Sequence, residues 1–293
     1  MSLLEAIVLG VIQGITEFLP ISSTAHLRFI PELLGWSDPG AAYSAVIQLG
    51  TVAAVIIYFA RDLIELGAAF FRGLAHGAAF ESVQSRLACY VLIGTLPVGI
   101  AGVLFKKWIE TSFRSLYVIG TSLILLALVL LLAEKLASHR RTLSEMKLRD
   151  GVVIGLCQAV ALIPGSSRSG TTLTGGLALG FRREDAARYS FLLSIPANSA
   201  AGLFELKHLL HATDSPSTPI LLLGTAVSFG AGMAAIAGLL RFLRTHSTIV
   251  FVGYRVVVGA LLLLLLGLGI LQPVSARAHP EQERPAAEKQ VTD

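Results

Sequence analysis

The sequence predicts an all-α polytopic membrane protein arranged as an inverted repeat, with six transmembrane helices and two re-entrant helix-turn-helix hairpins. Three observations carry this expectation. The chain is 54% hydrophobic and only 14% charged over 293 residues, with a mean hydropathy of +0.72, beyond what a soluble core buries. Its apolar stretches approach the ~20 residues that cross a bilayer as a helix, and no alternating pattern marks barrel strands. A short polar pattern, broken by proline, also occurs once in each half.

Taken in order, residues 3 to 18 read as an apolar helix that Pro20 ends, because proline lacks an amide donor and disfavours helical geometry in the residue before it. Ser22 can cap a second short helix running to about Leu34. Neither piece spans comfortably alone, so the pair reads as a re-entrant hairpin whose turn lines a protein-walled or watery cavity. Six longer apolar stretches follow, at about 41–59, 87–105, 116–134, 186–204, 219–240 and 249–271. A basic linker (Lys135, Arg140, Arg141, Lys147, Arg149) separates the third from a second short pair, 151–163 and 171–180, broken at Pro164-Gly165.

The halves echo each other. Gly10-x-x-Gln13 with Pro20-Ile21-Ser22-Ser23 is matched by Gly155-x-x-Gln158 with Pro164-Gly165-Ser166-Ser167, and Tyr43-Ser44 by Tyr189-Ser190. Each half holds one re-entrant pair and three spans, an odd number, so the second half enters from the opposite face and the two polar turns meet near the midplane. The expectation is one transmembrane domain over 1–272, in halves of about 1–140 and 141–272, followed by a polar, disordered tail at 273–293.

Basic residues lie in short loops and not in a stripe, so they read as topology signals and not as a nucleic-acid surface. Arg61, Arg72, Arg86, the linker, Arg182, Arg183, Arg241 and Arg244 share one side, and Arg28, Lys106, Lys107, Arg114 and Lys207 the other, with three more in the tail. The richer side is expected to be cytoplasmic, leaving both termini and the mouth of the first hairpin outside. Cys89 and Cys157 sit in apolar helical sequence without metal-ligand spacing and read as buried hydrophobes. The start, MSLLEAIVLG, lacks a basic n-region and cleavage site and reads as retained structure. Trp36 and Trp108 read as interfacial anchors, Arg188 and Arg255 as residues that snorkel or pair with lipid.

Polar groups at membrane depth need partners or a task. Gln13 and Glu17, four apart, share a helix face, where a carboxylate and an amide suit a divalent cation with water and substrate oxygens. An interhelical hydrogen bond is the plainer role for Gln13. Ser23 and His26, three apart at a helix start, supply a hydroxyl and an imidazole for nucleophilic attack with proton transfer, beside free amides suited to phosphate. Ser22 reads first as a cap. Arg168, inside Pro164-Gly165-Ser166-Ser167-Arg168-Ser169-Gly170-Thr171-Thr172, suits a bidentate grip on phosphate, with Gly165 and Gly170 admitting close backbone approach, or a salt bridge to Glu17. The sum is a phosphate-ester or anhydride site for a substrate with a lipid tail.

QGITEFLPISSTAH, Gln13 to His26, and PGSSRSGTT, Pro164 to Thr172, resemble the two signatures of the undecaprenyl pyrophosphate phosphatases of the bacterial cytoplasmic membrane, also described as bacitracin-resistance proteins. The resemblance runs from Met1 to Leu271. It implies removal of the terminal phosphate from a C55 isoprenoid diphosphate, recycling the carrier lipid for peptidoglycan and other envelope polymers, at a site opening to the outer leaflet. It implies a divalent cation, magnesium before calcium, on Glu17 and Gln13. It implies Glu17, Ser23, His26 and Arg168 as catalytic residues, and Ser22, Ser23, Thr24, Ser167, Arg168, Ser169, Gly170 and Thr172 around the phosphates. Gln13 stands where many relatives have Glu, which weakens any scheme needing two carboxylates on the metal; Ala25 replaces a glycine. The nucleophile is Ser23 with His26 relaying its proton, or His26, or a metal-bound water. A monomer and a homo-oligomer both fit. The rival from another class is a secondary transporter or flippase for a lipid phosphate or other anion, since inverted repeats with broken helices also mark transporters.

Overall fold

Residues 1–105, 108, 115–211 and 217–273 are described in the computed structural model of the chain; Lys106, Lys107, Arg114 and positions 274–293 of the expected tail lie outside them. Among the described residues there are eleven α-helices, one short 3-10 turn and no strand. A capping box between Ser2 and Glu5 opens α1 (Leu3–Phe18), which stops where Leu19 turns extended ahead of Pro20. The hydroxyl of Ser22 then accepts the Ala25 amide and starts α2 (Ser23–Leu33). There follow α3 (Gly40–Tyr58), α4 (Ala60–Ala75), α5 (Val83–Leu104), α6 (Leu116–Leu136), α7 (Leu148–Val160), α8 (Arg168–Ala178), α9 (Arg183–His211), α10 (Thr218–Leu243) and α11 (Ile249–Gly267).

The chain is a polytopic all-α membrane protein. Four helices, α5, α6, α10 and α11, are long and apolar enough to cross a bilayer, and α3 with α4 makes a fifth if the pair, bent by 75°, counts as one span. The remaining expected span, 186–204, lies inside the 29-residue α9. That helix falls short in apolarity because it carries polar residues of the site, Ser190 and Asn198, along with a charged first turn. The amphipathic α4 is a helix the hydropathy pattern did not single out, since Arg61, Asp62, Glu65 and Arg72 on its polar face interrupt the apolar run in sequence.

Both hairpins use one turn. Ser22 (φ 76°, ψ 99°) and Ser167 (φ 67°, ψ 107°) hold the same backbone conformation, which L-residues seldom adopt, and each hydroxyl caps the amide three residues on. The echo is therefore Ser22 with Ser167, one position later than the pattern Ser22 with Ser166 suggested. For the same reason α8 begins at Arg168 and not at 171. The packing repeats as well. A methyl on Gly10 would lie 2.7 Å from the Gly224 carbonyl, and one on Gly155 would strike the Gly94 carbonyl; the Tyr43 hydroxyl lies beside Gly224 as that of Tyr189 lies beside Gly94. So α1 rests on α10 as α7 rests on α5, by backbone contacts that only small residues permit. The two turns also clasp each other: Ser169 Oγ donates to the Leu19 carbonyl at 3.0 Å, and the Gly165 amide donates to Thr24 Oγ at 3.4 Å.

The basic linker is docked. The amides of Arg140 and Arg141 donate to the Gly180 carbonyl, and the Arg141 side chain pairs with Asp150 at 2.5 Å and lies over the Phe181 ring. Arg188, exposed, pairs with Asp62 of α4. Arg255 does not snorkel, being fully buried. Cys89 is buried and Cys157 partly so, both unpaired thiols.

Candidate active site

Glu17 is the hub. It lies on the last turn of α1, 5% exposed, with five donors on its two oxygens. Oε1 accepts Arg168 Nη2 at 2.7 Å, Asn198 Nδ2 at 2.9 Å and Gln48 Nε2 at 3.0 Å. Oε2 accepts Ser23 Oγ at 2.8 Å and Gln13 Nε2 at 3.1 Å. An acid at membrane depth costs about 3 kcal/mol on insertion scales, and hydrogen bonds to a charged group return roughly 1.5–3 kcal/mol each. A fully bonded, ionised Glu17 is thus affordable to the fold, and Arg168 is its charge partner.

Five elements converge to make this cluster: Gln13 and Glu17 from α1, Ser23 from α2, Gln48 from α3, Arg168 from α8 and Asn198 from α9. The Gln13–Glu17 and Arg168–Glu17 contacts anticipated from spacing and charge are both present. Arg168 is further steadied by Nη1 on the Ser190 carbonyl at 3.2 Å, and Thr172 Oγ braces the same region through Ser190 Oγ at 2.6 Å and the Arg168 carbonyl at 2.8 Å. Ser167 and Ser169 share a hydroxyl contact at 3.2 Å, and Ser22 and Thr24 another at 3.1 Å. Ser23 and Arg168 are partly exposed and Thr24 is exposed, whereas Ser22, Ser167, Ser169, Gly170 and Thr172 are buried. The accessible edge of the site is therefore the start of α2 facing the guanidinium of α8.

His26 is not brought to Ser23. Its Nδ1 binds the Ser22 carbonyl at 2.7 Å and its Nε2 the Tyr254 hydroxyl at 2.7 Å, with the two rings stacked 5.6 Å apart. The left-handed backbone of Ser22 aims its carbonyl at the imidazole, and α11 supplies the other partner, so Ser23 turns to Glu17 instead. His26 and Tyr254 line an apolar groove of about 410 Å3 with Val11, Ile15, Ile30 and Phe251. Sequence reasoning missed Gln48, Asn198 and Tyr254. The first two carried a usable signal, as lone amides inside stretches otherwise apolar enough to span.

Among the described residues no three His, Cys, Asp or Glu side chains gather as a metal site. The donor set near Glu17 is one carboxylate with the amides of Gln13, Gln48 and Asn198. Each amide presents its NH2 group to Glu17; with the amides turned, their carbonyls and the carboxylate would make a set of hard oxygen donors of the kind magnesium or calcium takes.

Comparison with known proteins places the chain in a family. A protein named undecaprenyl-diphosphatase from Myxococcus xanthus (strain DK1622) is 66% identical over the whole of both chains. Proteins of the same name from Chloroherpeton thalassium and Chlorobium phaeobacteroides are 51% and 49% identical, each over 93% of this chain and 99% or more of theirs. The family model described as Bacitracin resistance protein BacA matches residues 6–261, so the chain belongs to the bacitracin resistance protein BacA family.

Proposed function

We propose that this protein hydrolyses undecaprenyl diphosphate to undecaprenyl phosphate and phosphate, recycling the carrier lipid, and that Ser23 carries the chemistry. The observation that carries this is the 2.8 Å bond from Ser23 Oγ to Glu17 Oε2 beside Arg168, at the junction of two helix N-termini. Helix starts and a guanidinium suit a diphosphate, and a hydroxyl bonded to a carboxylate is an activated nucleophile. Named relatives are phosphatases, and the transporter alternative has no support in this family.

In this mechanism the diphosphate displaces part of the hold of Arg168 on Glu17 and lies across the starts of α2 and α8. Ser23 Oγ forms a bond to the terminal phosphorus as the bridging P–O bond breaks, and the lipid monophosphate leaves. The serine proton passes to Glu17 Oε2. Water then attacks the phosphoserine, phosphate leaves, and Glu17 returns the proton to Ser23. His26, held by Ser22 and Tyr254, forms the wall between the phosphate end and the apolar groove. That groove takes the first isoprene units, and the rest of the chain runs in the bilayer. A divalent cation, magnesium before calcium, would be held by Glu17 and the Gln13 amide oxygen, with Gln48 and Asn198 beside them, and would supply charge neutralisation of the phosphates. The enzyme sits in the bacterial inner membrane with the site opening to the outer side, an orientation that the loop charges support.

Phosphate release from undecaprenyl diphosphate by purified protein in detergent, with and without chelator, tests this. Release that requires the cation and disappears in Ser23→Ala is the expected result. Folded wild-type protein that releases nothing in magnesium or calcium overturns the reading.

A further inference from the structure

Each buried ionised side chain among the described residues has a partner of opposite charge, with one exception. Glu17 has Arg168 at 2.7 Å, Arg28 has Glu32 and Asp38 at 3.5 Å each, Glu134 has Arg183 at 2.5 Å, and Asp150 has Arg141 at 2.5 Å. Arg255 of α11 is 0% exposed and meets no carboxylate. Its Nη2 reaches the carbonyls of Ser166 at 2.9 Å, Gly165 at 3.3 Å and Ser122 at 3.5 Å, while Nε and Nη1 have no partner at all. A buried cation left in this condition is costly unless an anion joins it.

Its position says which anion. A methyl built on Gly170 would lie 2.8 Å from Arg255 Nη1 and 3.1 Å from the Ser167 hydroxyl. The unpaired guanidinium therefore stands against the first turn of α8, the helix that begins with Arg168. A helix start is itself positive. Since Glu17 cancels Arg168, Arg255 leaves the centre of the protein with one uncompensated positive charge, next to the turn that meets the first hairpin.

We propose that Arg255 is a second cation for the diphosphate, held inside the protein by the carbonyls of the second turn and balanced only when substrate is bound. The proposal rests on the phosphatase reading above. It divides the work between two arginines. Arg168, at the accessible edge and on Glu17, acts where Ser23 attacks; Arg255, behind the α8 start, attracts the diphosphate before and during reaction alike. An interaction made equally in ground and transition states acts on KM more than on kcat.

The test compares wild type, Arg255→Lys and Arg255→Gln in phosphate release from the lipid diphosphate, in competitive inhibition by inorganic pyrophosphate, and in the rise of Tm that pyrophosphate produces in detergent. Arg255→Gln is expected to raise KM and the pyrophosphate inhibition constant together by about tenfold or more, with kcat within a few-fold, and to lose the pyrophosphate-induced rise in Tm. Arg255→Lys, which keeps the charge but not the planar guanidinium, is expected to keep most of both affinities, and it decides the matter if the glutamine variant does not fold. Wild-type release with unchanged KM and inhibition constant in Arg255→Gln overturns this proposal and leaves the phosphatase reading intact. So does a lysine variant that folds yet loses pyrophosphate binding, since Arg255 would then only hold the turn. Absence of wild-type release would instead sink the phosphatase reading.

Discussion

The two re-entrant hairpins have the same backbone and opposite chemistry. Each starts its second helix at a serine in the left-handed region, and each packs its first helix through a glycine onto a spanning helix. Yet with Ser22 placed on Ser167, the proposed nucleophile Ser23 corresponds to Arg168, and Glu17 to Leu162. Gln13 donates to Glu17, whereas its counterpart Gln158 is fully buried with neither amide atom partnered. The difference teaches that the turn is the shared device, bringing two helix starts together, while the carboxylate and hydroxyl of Glu17 and Ser23 went to one copy and the guanidinium of Arg168 to the other. On the proposed function, a phosphate between the two turns would meet both.

The comparison breaks most visibly if the first hairpin is stripped of its chemistry. Ser23→Ala and Glu17→Gln are each expected to lower phosphate release by about 10³-fold or more, the scale for removing a nucleophile or its proton partner. Retained turnover in Ser23→Ala would move the attack to water. On the second hairpin, Arg168→Ala is expected to cost on the order of 10²-fold in kcat/KM, and also stability, because Glu17 is left as a buried unpaired charge worth roughly 3–5 kcal/mol. Arg168→Lys should recover the Tm better than the rate, since one ammonium cannot serve Glu17 and the Ser190 carbonyl as the fork does.

Smaller effects sharpen the same contrast. His26→Ala and Tyr254→Phe are expected to lower kcat by less than about tenfold and by similar factors, since the imidazole is engaged by Tyr254 and Ser22 and not by Ser23. A loss in His26→Ala as large as in Ser23→Ala would return the imidazole to the role of proton acceptor. The smallest effect belongs to the symmetry mates. Gln158→Leu removes a buried amide without partners and is expected to leave activity unchanged and raise stability by about 1 kcal/mol, seen as a higher Tm in detergent. Gln13→Leu, by contrast, is expected to lower activity.

Much of this was legible in the chain. Pro20 and Pro164 locate the breaks, Ser22 the cap, and the stretches beginning near residues 41, 87, 116, 219 and 249 the long helices, because hydropathy and proline act within a few residues. The Gln13–Glu17 pair follows from spacing alone. The partner of Ser23 did not follow. Spacing put Ser23 and His26 on one helix face, but only the carbonyl of Ser22 and the hydroxyl of Tyr254, 228 positions away from His26, decide where the imidazole points. Arg255 likewise lies near the end of an apolar stretch, where snorkelling is the local expectation, and is buried because α11 packs it behind the second turn.

By itself the sequence determined that the chain is a helical membrane protein, where its helices break, and which polar residues stand at membrane depth. These depend on the cost of placing a given side chain or an amide-less residue in apolar surroundings, a cost each position incurs alone. The tertiary structure decided which of them meet. A helix fixes the direction of a side chain about its own axis, but the register between helices is set by contacts such as Gly10 on Gly224 and Gly155 on Gly94. Those contacts bring Gln48 and Asn198 to Glu17, and leave Arg255 without an anion of its own.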